Sequence, residues 1–287
     1  MLGSYQRARL LLAIASIVSF ALFWLAGDAF DIPLARRFSA SLLAQPSPLI
    51  DLLVTLVLTV ACVLLGTVVA GTIRFDAGLA AAAIGLTALS LRGGPIRHVL
   101  FDVASPTVFL VLAAELMILY AILGLAWGVL WALSARGWLK DDPFRDGVTD
   151  TDESTGQRLL ALATQAVVMA LLMILLVKSD RKAQVLWSVG ISSFLATIAA
   201  HNIAPSRPSV WYWGGPLVVG VIGYVLTYAS GDPSWQVGIV GGWVPELARP
   251  LPLDYAGAGT AGAIIAYWMS RRWQRAREEA DDAPAPA

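Results

Sequence analysis

The chain has a single cysteine, two histidines and few charges: only 14% of its 287 residues are Asp, Glu, Lys or Arg, and the formal net charge is zero. One thiol, Cys62, excludes an internal disulfide and a cysteine-ligated zinc or iron–sulfur centre. His98 and His201 are too few for a histidine-rich metal site. The balanced charge offers no electrostatic footing for nucleic acid or a polyacidic partner. Nucleophile elbows, zincin signatures, Walker loops and dinucleotide-binding glycines are all missing. An enzyme is therefore the weaker functional class, and no cofactor or metal is implied.

What is abundant is apolar side chain. Hydrophobic residues make up 57% of the sequence, and the mean hydropathy of +0.70 exceeds what a water-soluble domain of this length carries. The expected fold class is all-α, a polytopic transmembrane helical bundle. A hydrocarbon core of about 30 Å needs roughly 20 apolar residues in a helix. That window predicts spans near 9–27, 49–73, 106–134, 158–177, 183–204 and 209–229. Two more, near 75–91 and 252–270, are short and rich in Ala and Gly, so about eight membrane-spanning helices are expected, two of them short.

With eight spans both termini fall on one side of the membrane, which collects twelve of the twenty Lys and Arg residues, against eight on the other. The positive-inside rule makes that side cytoplasmic, and the expected location is a bacterial cytoplasmic membrane. The first apolar run follows an Arg pair, yet it reads as a retained helix rather than a cleaved signal, because it is long and holds Phe20, Phe23 and Trp24. Residues 1–277 form one integral membrane domain. It includes a polar cytoplasmic loop at 135–157, whose acidic residues lack the spacing of a calcium loop, and an outer Gly/Pro/Trp-rich loop at 230–254, expected to lie on the bilayer or fold back as a lid. The tail 278–287 is low in apolar content and expected to be disordered.

Ionisable groups at membrane depth are functional candidates by default. Glu115 lies about nine residues, or about 14 Å, into its span and is a candidate proton or cation site. Asp51, Thr55 and Thr59, followed by Cys62 and Gly66, repeat at three or four and define one inward face of a helix. Such faces also serve simply for close helix packing. Ser193, Thr197 and His201 form a second polar face, with His201 near the cytoplasmic helix end, where an imidazolium complements the helix dipole; the set reads as a candidate proton relay. Beyond Pro205, Arg207 falls in a short inner loop, and Trp211 and Trp213 read as an interfacial anchor. Asp254 is a candidate cap for the last helix, whose Gly and Ala spacing is suited to close helix contact.

The pair Arg207-Pro208 and the run Arg249…Asp254 are similar to fragments of the integral membrane phosphatidic-acid phosphatase family. That family joins a Lys/Arg-Pro phosphate-binding motif to a Pro-Ser-Gly-His motif and an Arg…His…Asp motif. This sequence has no Pro-Ser-Gly-His and no His between Arg249 and Asp254, so no activity carries over. The expected function is a small transporter or channel-like protein with an intramembrane carboxylate. The alternatives are a non-catalytic membrane subunit or scaffold and, third, a lipid-processing enzyme. Expected partners are the lipid bilayer and, through Gly/Ala-rich helices, other membrane subunits or further copies of the chain.

Overall fold

The computed structural model describes residues 4–27, 41–43, 48–70, 76–102, 105–135, 154–206, 209–230 and 244–281, and no strand occurs among them. The helices are α1 (Ser4–Ala26), α2 (Pro48–Ala70), α3 (Ala77–Arg92), α4 (Ile96–Asp102), α5 (Val108–Ala135), α6 (Thr155–Leu176), α7 (Lys182–Ile203), α8 (Val210–Trp213) and α9 (Gly215–Ala229). A 3₁₀ turn at Glu246–Ala248 and a helical turn at Pro252–Asp254 lead into a π-helical segment, Tyr255–Gly259, which continues as α10 (Thr260–Asp281). Among the described residues six stretches are long and apolar enough to cross a bilayer: Arg9–Ala26, Pro48–Val68, Val108–Ala132, Thr155–Leu176, Lys182–Ile203 and Val210–Ala229. The protein is thus an all-helical, multi-pass membrane protein.

The expected count of about eight is not reached by that criterion. Helix α3 has 16 residues, short for the roughly 20 that the hydrocarbon needs, and α10 turns polar in its Arg-rich second half. The last helix also runs to Asp281, four residues into the segment expected to lack order. Of the polar loop at 135–157, residues 136–153 lie outside the described part, as do 231–243 of the outer loop.

Helix ends follow local chemistry. Ser154 caps α6, its Oγ accepting from the Gln157 amide at 3.2 Å, which satisfies one of the otherwise orphaned first-turn donors. Helix α7 stops at Ile203, two residues before Pro205, as the backbone restriction ahead of a proline requires. Pro216 sits in the first turn of α9, where its missing N–H removes no helical bond.

Apolar residues are exposed along the outer flanks of α1, α2 and α6, with Ile17, Leu53, Val68, Leu171 and Leu175 among them. In water so continuous an apolar face is a liability, and in lipid it is the matching surface. Helix α3, although short, is nearly all buried. Its small residues permit this: the Gly66 α-carbon faces α3 so closely that a Cβ there would meet the Gly78 Cα at 2.7 Å. Similarly, a Cβ on Gly262 would come within 2.5 Å of the Gly190 carbonyl oxygen, which seals α7 against α10. Close backbone approach through small residues is how helices associate in lipid. Here those faces are used within the chain.

Candidate functional site

The described residues place a line of buried polar groups along α7 and the π segment with α10, from Lys182 at one end of the bundle to His201 at the other. These two residues are nineteen positions apart on one helix, about 29 Å at 1.5 Å per residue, which matches the hydrocarbon thickness of about 30 Å.

At the first end, Asp254 is almost fully buried. Its Oδ2 accepts from the Leu251 amide at 2.8 Å, so it closes the turn that starts the last helical stretch. Its Oδ1 accepts from Ser90 Oγ and lies 2.7 Å from Lys182 Nζ. The lysine contact is Coulombic rather than a well-directed hydrogen bond. Nearby, Arg249 straps the 244–251 segment down: its Nε donates to the Val244 carbonyl at 2.6 Å and its Nη1 to the Val177 carbonyl at 2.8 Å. Two tyrosines fasten the same segment, Tyr224 donating to the Pro250 carbonyl at 2.5 Å and Tyr255 to the Leu247 carbonyl at 2.6 Å. Part of the outer loop therefore folds onto the bundle.

The middle of the line is organised by the π segment. A π turn displaces the backbone bonds of its helix, and here side chains from neighbouring helices meet carbonyls of that turn. Tyr120 of α5 donates to the Tyr255 carbonyl at 3.1 Å and accepts from Thr260 Oγ1 at 3.0 Å, and Ser193 of α7 donates to the Gly259 carbonyl at 2.7 Å. Gly257 is required by approach: a Cβ there would sit 2.6 Å from the Thr87 backbone nitrogen.

Further along, Gln165 of α6 donates to Thr197 Oγ1 at 2.9 Å. At the far end His201 Nδ1 and Ser270 Oγ share a hydrogen bond of 2.8 Å. The imidazole stands edge-on to Tyr212 and Tyr267, with ring centroids 5.4 and 5.3 Å away, and those two phenols stack on each other at 5.3 Å. The Tyr212 hydroxyl donates to the Ala204 carbonyl at 2.8 Å and accepts from the Ser206 amide at 2.9 Å, so it finishes α7. Besides Lys182 Nζ, the buried groups Ser192 Oγ, Gln165 Oε1 and Trp213 Nε1 have no hydrogen-bond partner among the described residues.

Several sequence-based expectations change at this point. Ser193, Thr197 and His201 share a face of α7 and hydrogen-bond to the Gly259 carbonyl, Gln165 and Ser270 respectively. Trp213 is buried and stacks on Tyr120 with centroids 6.1 Å apart, inside the bundle rather than at an interface, while Trp211 is half-buried. Arg207 lies outside the described residues.

Glu115 is fully buried. Its Oε2 accepts from Ser41 Oγ at 2.5 Å and from the Leu43 amide at 3.2 Å. Asp51, Thr55 and Thr59 are buried on the one face of α2 that looks into the bundle, and the two threonine hydroxyls have no partner among the described residues.

Lys182, Ser90, Gln165, Tyr120 and Ser270 were missed by sequence reasoning. Gln165 had a signal, being the one side-chain amide inside an otherwise apolar span. The others become visible only when helices far apart in the chain are brought together. No group of three or more His, Cys, Asp or Glu residues suited to a metal occurs among the described residues. Comparison with protein-family models, with characterised proteins and with solved structures finds no match.

Proposed function

We propose that this is an eight-crossing membrane protein of the transporter or channel-like class, which moves a small polar solute or ion along the α7/α10 line. On this reading α3 and the stretch from Pro252 into α10 are the two additional crossings, and both termini face the cytoplasm of a bacterial inner membrane. The observation that carries the proposal is the buried polar line itself, which runs the thickness of a bilayer between two apolar-flanked helices. Polar groups in hydrocarbon are costly, and they persist where they face a bundle interior or a path. The unpartnered Ser192, Gln165 and Trp213 groups give a passing polar solute three places to bond. A π turn in the middle of the line is the kind of local irregularity that recurs at functional sites.

The subunit alternative is less well supported. The Gly and Ala faces expected to receive partner helices are filled by α2 against α3 and α7 against α10, so partner subunits or further copies would have to meet the outer flanks of α1, α2 or α6. The test is flux. Liposomes containing the protein are followed by light scattering after an osmotic step with glycerol, KCl or potassium glutamate, and by an internal pH dye after a pH step. Faster relaxation than empty liposomes for at least one probe, slowed by Gln165→Leu, is the expected result. Rates equal to those of empty liposomes for every probe sink the transport reading.

A further inference from the structure

We infer that Glu115, bonded by the 41–43 segment, is a binding site for a monovalent cation, a proton or an alkali ion. The inference starts from an incomplete hydrogen-bond set. Glu115 is fully buried, its Oε2 accepts from the Ser41 hydroxyl and the Leu43 amide, and the Leu42 amide also addresses the carboxyl. Its Oε1 has no hydrogen-bond partner among the described residues. An ionised carboxyl wants donors on both oxygens, and a protonated one wants an acceptor for its O–H. In either state the site is one contact short.

Charge balance points the same way. Both of the partners on Oε2 are neutral, and a buried charge without a counter-charge is strongly unfavourable. The elements packed against α5 are α2, α3, α9 and the 252–259 stretch, and their charged or titratable groups are Asp51, Cys62, Arg92, Tyr224, Tyr228, Asp254 and Tyr255. The one cation in that set, Arg92, is at the bundle end, where it donates to the Trp24 carbonyl at 2.5 Å and stands over the Trp24 ring. Lys182 faces Asp254 at 2.7 Å. Among the described residues no ion pair reaches Glu115, and on this inference an exchangeable cation supplies the positive charge.

The local geometry suits a small ion. Glu115 is seven residues into α5, about 11 Å from its start, and Thr55 is seven residues into α2, which starts from the same end. The two helices pack together, and the buried Thr55 hydroxyl has no hydrogen-bond partner among the described residues. Oxygen donors alone favour a hard cation, and a lone carboxylate without a second acidic ligand favours a single charge. Ser41 and Leu42, beside the carboxyl, are fully buried.

The experiment uses the full chain in lipid nanodiscs and reads binding, so a failure of the flux assay leaves it intact. Thermal unfolding is measured at pH 8 in NaCl, LiCl or KCl against N-methylglucamine chloride at constant ionic strength, and again in N-methylglucamine chloride from pH 8 to pH 5. One alkali ion, or acid alone, is expected to raise the unfolding midpoint of wild type by about 2–4 °C or more, and Glu115→Gln abolishes the response. An alkali response identifies a metal-ion site, and an acid response without one identifies a proton site. Should Glu115→Gln not fold, the infrared carboxyl band of wild type under the same exchange, with Ser41→Ala expected to shift it, reads the same carboxyl. A wild type indifferent to both arms, or a Glu115→Gln variant that responds like wild type, overturns the inference.

Discussion

Two buried polar regions of this bundle are built in opposite ways. Along α7 and α10, polar side chains mostly meet partners from other helices: Asp254 with Ser90 and Lys182, Ser193 with the Gly259 carbonyl, Thr197 with Gln165, His201 with Ser270. Around α2 and Glu115, hydroxyls and a carboxyl oxygen are buried without partners. Partnered groups hold helices in register, because breaking one leaves the other exposed to hydrocarbon. Unpartnered groups do little for folding, so their presence is the better pointer to a ligand. The α7/α10 line contains both kinds, since Ser192 Oγ, Gln165 Oε1 and Trp213 Nε1 have no hydrogen-bond partner among the described residues, and those are the groups the transport reading uses.

The largest effect is expected at the buried ion pair. Asp254→Ala strands Lys182 and the Leu251 amide, and removing one member of a buried pair typically costs about 3–5 kcal/mol. The double variant Lys182→Met with Asp254→Leu should recover most of that loss, as read in a double-mutant cycle of denaturant unfolding. Full additivity of the two single losses would show that the pair does not couple.

Next in size are the close backbone contacts. Gly257→Ala pushes a methyl group against the Thr87 nitrogen and Gly262→Ala against the Gly190 carbonyl, so each should destabilise by about 1–3 kcal/mol, the range for overpacking. Unchanged unfolding midpoints would mean that the π segment and α10 are free to move away from α3 and α7. A smaller loss, about 0.6–1.7 kcal/mol as for interhelical hydrogen bonds in membranes, is expected for Tyr120→Phe and for Ser193→Ala, each of which strands one carbonyl of the π turn.

The smallest effect is the sharpest contrast. Thr55→Val and Thr59→Val remove hydroxyls that bond to nothing described, with little change of shape, so stability should stay within about 0.5 kcal/mol or improve. A loss as large as that of Ser193→Ala would erase the distinction between the two regions.

The helical membrane class was legible from composition and run length, because a bilayer imposes a length that no loop or soluble helix needs. The inward faces of α2 and α7 were legible too, since a period of three to four survives in one dimension. What each polar group does was not. Asp254 finds Ser90 across 164 residues, Thr260 finds Tyr120 across 140, and Glu115 finds Ser41 across 74, and no local pattern encodes such distances. Trp213 illustrates the same limit: an aromatic between Tyr and Gly near a helix end fits an interfacial anchor in sequence, and only the stacking on Tyr120 turns it inward. Helix α3 read as marginal because Ala and Gly have low hydropathy, while that same smallness lets it sit at the centre of α1 and α2.

The most direct test of the α7/α10 line as a path is water access in the sealed membrane. In a Cys62→Ser background reconstituted in liposomes, Ser192→Cys and Thr197→Cys are treated with a charged, membrane-impermeant methanethiosulfonate, with the lipid-facing Leu171→Cys as control. Labelling of the two seam positions and not of Leu171→Cys is the result expected of a hydrated route. Seam cysteines that stay unlabelled in the membrane yet react once the protein is denatured would show a dry, sealed interface and contradict the transport reading.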